Sequence, residues 1–131
     1  MTKILIIDDE VKLRETICEL LCFVGYDVCE AQDGKEGLEK VKRFKPDLII
    51  CDIMMPIMDG YGFMEKHRIS DYSSIPVIFL TARVEQKDKE KGVALGVKAY
   101  IKKPFVLKEL RQLLDSHLLP QNTTIKNMEA L

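Results

Sequence analysis

Three stretches of the chain are apolar without interruption: Ile4-Leu5-Ile6-Ile7, Leu48-Ile49-Ile50-Cys51 and Val77-Ile78-Phe79-Leu80. Half-buried strands alternate apolar and polar residues, so unbroken runs of this length point to strands covered on both faces, as in a parallel sheet. Two weaker strand candidates run from Asp27 to Ala31 and from Val97 to Ile101. The segments between them have a different period. Leu13, Ile17, Leu20, Leu21 and Val24 share one face of a helix, as do Leu107, Leu110, Leu113, Leu114 and Leu118. Shorter helices are expected over 34–44, 59–70 and 85–94, with Gly25, Gly34, Pro46, Asp59-Gly60, Pro76 and Gly96 as punctuation.

Strand and helix alternate five times. That order predicts an α/β fold with right-handed crossovers: a doubly wound (flavodoxin-like) sheet of five parallel strands, order 2-1-3-4-5, flanked by five helices. Ligands of such folds bind beyond the carboxyl ends of the strands, where the strand order reverses. Residues 1–119 read as one domain. After Pro120 the polar, turn-prone Gln121-Asn122-Thr123-Thr124 makes 120–131 a tail or the start of a linker.

Composition narrows the function classes. The 131 residues are 47% hydrophobic and 31% charged with a net charge of −1, which suits a globular domain and supplies no cationic footprint for direct nucleic-acid contact. No apolar run approaches the roughly 18 residues of a membrane span, and Met1-Thr2-Lys3 leads straight into a strand rather than a secretory leader. Cys18, Cys22, Cys29 and Cys51 form no C-x-x-C pair. Cys18 and Cys22 would share a helix face, but no nearby Cys or His completes a metal site; all four are expected to be reduced, small buried apolar residues of a cytoplasmic protein.

The candidate chemistry stands at the strand ends. The first strand ends in Asp8-Asp9, the third in Asp52, the fourth in Thr81, and the fifth leads to Lys102-Lys103-Pro104. Strands one and three are neighbours in the expected order, so three carboxylates converge. Asp52 follows the most apolar run of the chain, where a desolvated, unpaired carboxylate costs several kcal/mol or rises in pKa. A hard divalent cation, Mg²⁺ or alternatively Mn²⁺, offsets that repulsion, and Lys103 is placed to add to it. Metal and lysine together suit a phosphoryl group, and Asp52, alone at the tip of the central strand, is the expected nucleophile forming an acyl phosphate. Asp9 is then the expected direct metal ligand, Asp8 a ligand through water, and the backbone carbonyl of Met54 a third contribution.

Asp8-Asp9, then Asp52-Ile-Met-Met-Pro-Ile-Met-Asp59-Gly60, then Thr81-Ala82 and Lys103-Pro104-Phe105 resemble, in order, the receiver domain of bacterial two-component response regulators, over residues 3 to 119. The resemblance implies a signalling switch rather than an enzyme, although such domains assist their own phosphorylation and dephosphorylation. A histidine kinase or a histidine phosphotransfer protein donates the phosphoryl group to Asp52, Thr81 and Lys103 engage its oxygens, and Tyr100 rotates inward as Thr81 moves. Helix four, strand five and helix five then offer an altered face to an output domain or target protein, as a population shift between two packings. The resemblance also implies a cis Lys103–Pro104 peptide. Met54 and Arg83 occupy positions that tune acyl-phosphate lifetime in this family, and Val97-Lys98-Ala99-Tyr100 lacks the acidic pair that many DNA-binding members use to dimerise there.

Other residues have simpler readings. Asp59 is expected to cap the third helix, His67 and His117 to be structural, and Met54, Met55 and Met58 to pack in a loop rather than bind a soft metal. An FMN site would want a Ser/Thr/Gly-rich loop where this chain is acidic. A phosphatase of the haloacid-dehalogenase type would want a second aspartate at position 54.

Overall fold

In the computed structural model the described residues are 1–82 and 85–130, with side chains described through Leu118. Arg83, Val84 and Leu131 lie outside them, as do the side chains of the segment expected to form a tail or linker. The elements are β1 (Lys3–Ile7), α1 (Val11–Val24), β2 (Asp27–Ala31), α2 (Gly34–Phe44), β3 (Leu48–Cys51), α3 (Gly60–His67), β4 (Val77–Thr81), α4 (Gln86–Leu95), β5 (Ala99–Lys102) and α5 (Leu107–Ala130). The strands form one parallel sheet in the order β2-β1-β3-β4-β5.

The unbroken apolar runs bury both faces of the sheet, because successive side chains point to opposite sides. Leu5, Ile7, Ile49, Cys51, Val77 and Phe79 pack with Val41 of α2 and with Phe63 and Met64 of α3. Ile4, Ile6, Leu48, Ile50, Ile78, Leu80 and Ile101 pack against Ile17 and Leu21 of α1 and against Leu110 and Leu114 of α5. Each isoleucine fully buried in this way contributes about 2 kcal/mol relative to an exposed one.

Three element boundaries differ from the sequence expectation by two residues or more. The third helix stops at His67 rather than 70: the Ser70 hydroxyl donates to the His67 carbonyl at 2.8 Å and accepts from the Tyr72 N–H at 3.1 Å, a local bond that competes with helix propagation. Strand β5 begins at Ala99 rather than Val97. Gly96 ends α4 at φ 100°, and the Val97 N–H returns to the Gly92 carbonyl at 2.9 Å, so Val97 belongs to the helix cap. The backbone of α5 continues to Ala130, past the last leucine of the apolar stripe.

The cysteines differ as well. All four are free, but only Cys51 is buried; Cys18 and Cys29 are half-buried and Cys22 is exposed, because the stripe of α1 that meets the sheet is centred on Ile17 and Leu21. His67 is buried, stacks on Phe63 with ring centroids 5.4 Å apart, and bonds through Nε2 to the Ile75 carbonyl at 3.0 Å. Asp59 caps α3 by accepting from the Gly62 N–H at 2.8 Å.

Candidate functional site

Sheet register decides which residues meet. Ile7 lies opposite Cys51, so the next residues, Asp8 and Asp52, are side by side, and the Asp52 N–H extends the ladder to the Ile7 carbonyl at 2.9 Å. Asp8 and Asp52 stand two positions beyond Ile6 and Ile50, whose side chains share the α1–α5 face, and Lys103 stands two beyond Ile101 on that same face. Thr81 pairs with Lys102 across β4 and β5, and the Lys103 N–H donates to the Thr81 carbonyl at 2.8 Å. Strand alternation thus gathers an amine and two carboxylates.

Lys103 Nζ lies 3.0 Å from Asp52 Oδ2 and 3.1 Å from Asp8 Oδ2, and 3.5 Å from Glu10 Oε1. Asp8 is 1% and Asp52 6% exposed, whereas the Glu10 side chain faces solvent. Backbone donors take the second oxygens: Ile53 N–H to Asp52 Oδ1 at 2.7 Å, and Glu10 N–H to Asp8 Oδ1 at 2.9 Å. Burial raises the pKa of Asp52, and the neighbouring Asp8 charge raises it further, against the pull of Lys103 and the Ile53 N–H. Asp8 is raised for the same first reason, with the Glu10 N–H and Lys103 opposing. Burial alone would lower Lys103, but its bonds and attraction to Asp52 and Asp8 outweigh that and leave it raised. One amine therefore does not fully compensate the two buried carboxylates.

One oxygen from each of Asp8, Glu10 and Asp52 can be chosen so that all lie within 4.8 Å of one another. Such an all-carboxylate oxygen set suits a hard divalent cation. Asp9, the expected direct ligand, is exposed and is not among the three; Glu10 stands there instead. The sequence reading passed over Glu10, although its signal was an acidic residue directly following the aspartate pair. Met54 is 66% exposed beside Asp52 and Ile53, and Thr81 is buried. The Lys103–Pro104 peptide is cis.

The loop after β3 folds tightly onto the site. The Gly60 N–H returns to the Ile53 carbonyl at 2.8 Å, and a Cβ at Gly60 would fall 2.6 Å from the Asp52 carbonyl oxygen, so only glycine allows this approach. Within the loop, the Met58 N–H reaches the Pro56 carbonyl at 2.7 Å across Ile57, which is held at φ 67°. That conformation is strained for a β-branched residue.

Tyr100 lies against α4. Its hydroxyl donates to the Asp88 carbonyl at 2.8 Å, and its ring meets the Phe79 ring edge-on with centroids 5.7 Å apart. The space is made by Gly92: a Cβ there would sit 1.6 Å from Tyr100 Oη. Tyr61 joins the same cluster through a 3.1 Å bond to Asp88 Oδ1.

Comparison with known proteins agrees with this geometry. The family model for the response regulator receiver domain matches residues 4–115. A probable transcriptional regulator, ycf27, of Porphyridium aerugineum is 44% identical over 116 residues, covering 88% of this chain and 48% of the relative, so the chain spans about half the length of that protein. Among solved structures, chemotaxis protein CheY4 of Vibrio cholerae is similar with a TM-score of 0.86 and 33% identity, over 90% of this chain and 99% of that one. A two-component response regulator from Clostridium difficile gives a TM-score of 0.87 at 26% identity, over 93% and 99%. With its sheet order, its acidic pocket at the strand ends and a family match over most of its length, the chain belongs to the response regulator receiver domain family.

Proposed function

We propose that this domain is a phosphorelay switch that takes a phosphoryl group from a phosphohistidine onto Asp52. The observation that carries the reading is Lys103 Nζ held 3.0 Å from Asp52 Oδ2 and 3.1 Å from Asp8 Oδ2, a cation at the buried carboxylate that would receive the charge. An Asp52 oxygen attacks phosphorus in line; the new P–O bond forms as the P–N bond breaks, and the electron pair returns to the donor's imidazole. Lys103 then pairs with a phosphoryl oxygen, and the Thr81 hydroxyl turns toward another.

Mg²⁺, or Mn²⁺ in its place, fits the donor set: Asp52, Asp8 and Glu10 are gathered already, and on this reading Asp9 and the Met54 carbonyl would turn in to complete it. When bound it neutralises charge on the phosphoryl oxygens. The remaining work belongs to the protein. Ile53 N–H and Lys103 orient Asp52, and burial of the strand ends limits water at the acyl phosphate.

The output is a shift of the α4–β5–α5 face, with Thr81 and Tyr100 as the moving pair. The Tyr100 ring resting on Gly92 beside Asp88 supports that role, because its position and that of α4 depend on each other. A histidine kinase or phosphotransfer protein is the donor, and an output domain or separate target reads the face. A cytoplasmic location is part of the same proposal. Among the described residues no helix is long and apolar enough to cross a membrane.

The test is intact mass after incubation with acetyl phosphate, with and without Mg²⁺, on the wild type and Asp52→Asn. One phosphoryl group that requires Mg²⁺ and disappears in the variant is the expected result. No addition to the wild type, together with no Mg²⁺ binding, would leave a domain that works by protein binding alone.

A further inference from the structure

Behind the acidic turn lies a polar clamp that none of the roles above uses. Arg14, one turn into α1, has a side chain only 14% exposed. Its Nη1 donates to the backbone carbonyl of Asp8 at 2.5 Å, and its Nε donates to Glu30 Oε1 on β2 at 3.0 Å. Its own N–H donates to the Glu10 carbonyl at 2.9 Å, closing the first turn of the helix. One residue thus touches Asp8, Glu10 and the neighbouring strand.

The clamp answers a local need. Asp8 is buried, so its carbonyl requires a donor. The chain leaves β1 at this residue, whose N–H is held by the Ala31 carbonyl at 3.0 Å. The helix that follows begins at Glu10 without a side-chain cap. Apart from the Glu10 N–H bond to Asp8 Oδ1 and the Lys103 contacts, the guanidinium is what fixes the turn. A planar fork bonded at one end to a carboxylate and at the other to a carbonyl sets orientation as well as distance, which a flexible ammonium does not.

We propose that Arg14 is a positioning residue for the cation site: the Glu30–Arg14–Asp8 carbonyl clamp holds Asp8 and Glu10 where a divalent cation meets them together with Asp52. The clamp sets the cation concentration at which Asp52 is phosphorylated, rather than the chemistry once the cation is bound. This rests on the phosphoacceptor reading above.

The experiment is calorimetric titration of the full chain with Mg²⁺, alongside phosphoryl incorporation from acetyl phosphate read by mass across a range of Mg²⁺. Arg14→Ala is expected to weaken Mg²⁺ binding about tenfold, and Glu30→Gln about threefold through looser orientation of the guanidinium. Arg14→Lys recovers part of the loss, since one ammonium reaches the carbonyl or the carboxylate but not both. At saturating Mg²⁺ each variant reaches the wild-type level of phosphorylation. Wild-type Mg²⁺ affinity in both Arg14→Ala and Glu30→Gln overturns the proposal, even if thermal stability falls. Should Arg14→Ala fail to fold, Glu30→Gln decides. A wild type that binds Mg²⁺ but takes no phosphoryl group sinks the phosphoacceptor reading instead, and the titrations still judge the clamp.

Discussion

Replacing Gly92 by alanine should destabilise the domain although it improves the helix. In an exposed helix interior the change gains about 1 kcal/mol, because glycine loses more backbone freedom on folding. Here the new Cβ would fall 1.6 Å from Tyr100 Oη and 2.8 Å from its Cζ, so the ring must leave. Departure breaks the hydroxyl's 2.8 Å bond to the Asp88 carbonyl, worth about 1 kcal/mol net. It also breaks the edge-on contact with Phe79, worth about 1 kcal/mol. The balance is a loss of about 1 kcal/mol, or about 3 °C in Tm for a domain of this size. The stronger form of the prediction is a change of sign. In a Tyr100→Ala background no ring opposes the methyl group, so Gly92→Ala should stabilise by about 1 kcal/mol. Urea denaturation of the four proteins in the cycle measures both effects. Stabilisation by Gly92→Ala in both backgrounds would refute the claim that Gly92 exists to admit Tyr100.

Two further outcomes follow from buried charge. Lys103→Met leaves Asp8 and Asp52 without their shared amine and should cost about 3 kcal/mol without divalent cations; denaturation in Mg²⁺ should recover more stability in the variant than in the wild type, and equal gains would contradict the balance of charges described here. Burial lowers the pKa of His67, against its bond to the Ile75 carbonyl, and His67 Nδ1 has no hydrogen-bond partner among the described residues. The unfolded chain therefore binds the proton first, and the stability His67 contributes is complete above about pH 6.5 and is lost as pH falls below it. His67→Phe should flatten the fall in Tm between neutral and mildly acid pH, and an unchanged slope would assign that fall to other groups.

Much of the architecture was legible because burial on both faces leaves a direct trace. Ile4–Ile7, Leu48–Cys51 and Val77–Leu80 had to be interior strands, and helical stripes between them had to cover a parallel sheet. Convergence of Asp8 and Asp52 followed from neighbouring strands, since strand ends carry side chains to fixed places. Lys103 was legible for the same reason. The ends of α3 and β5 were not, because the Ser70 hydroxyl and the Val97 N–H each serve a local cap that apolar periodicity does not register.

What the amino-acid order determined alone is therefore the set of elements and which polar groups stand at their carboxyl ends. Tertiary structure decided which acid joins Asp8 and Asp52, bringing Glu10 rather than Asp9 to the group. It also joined Arg14 to a carboxylate sixteen residues away and set Tyr100 into the space that Gly92 leaves open. These depend on side-chain rotation and on distances across the sheet. Hydrophobic patterning constrains which face a residue takes, but not which of several polar atoms on that face ends within bonding distance.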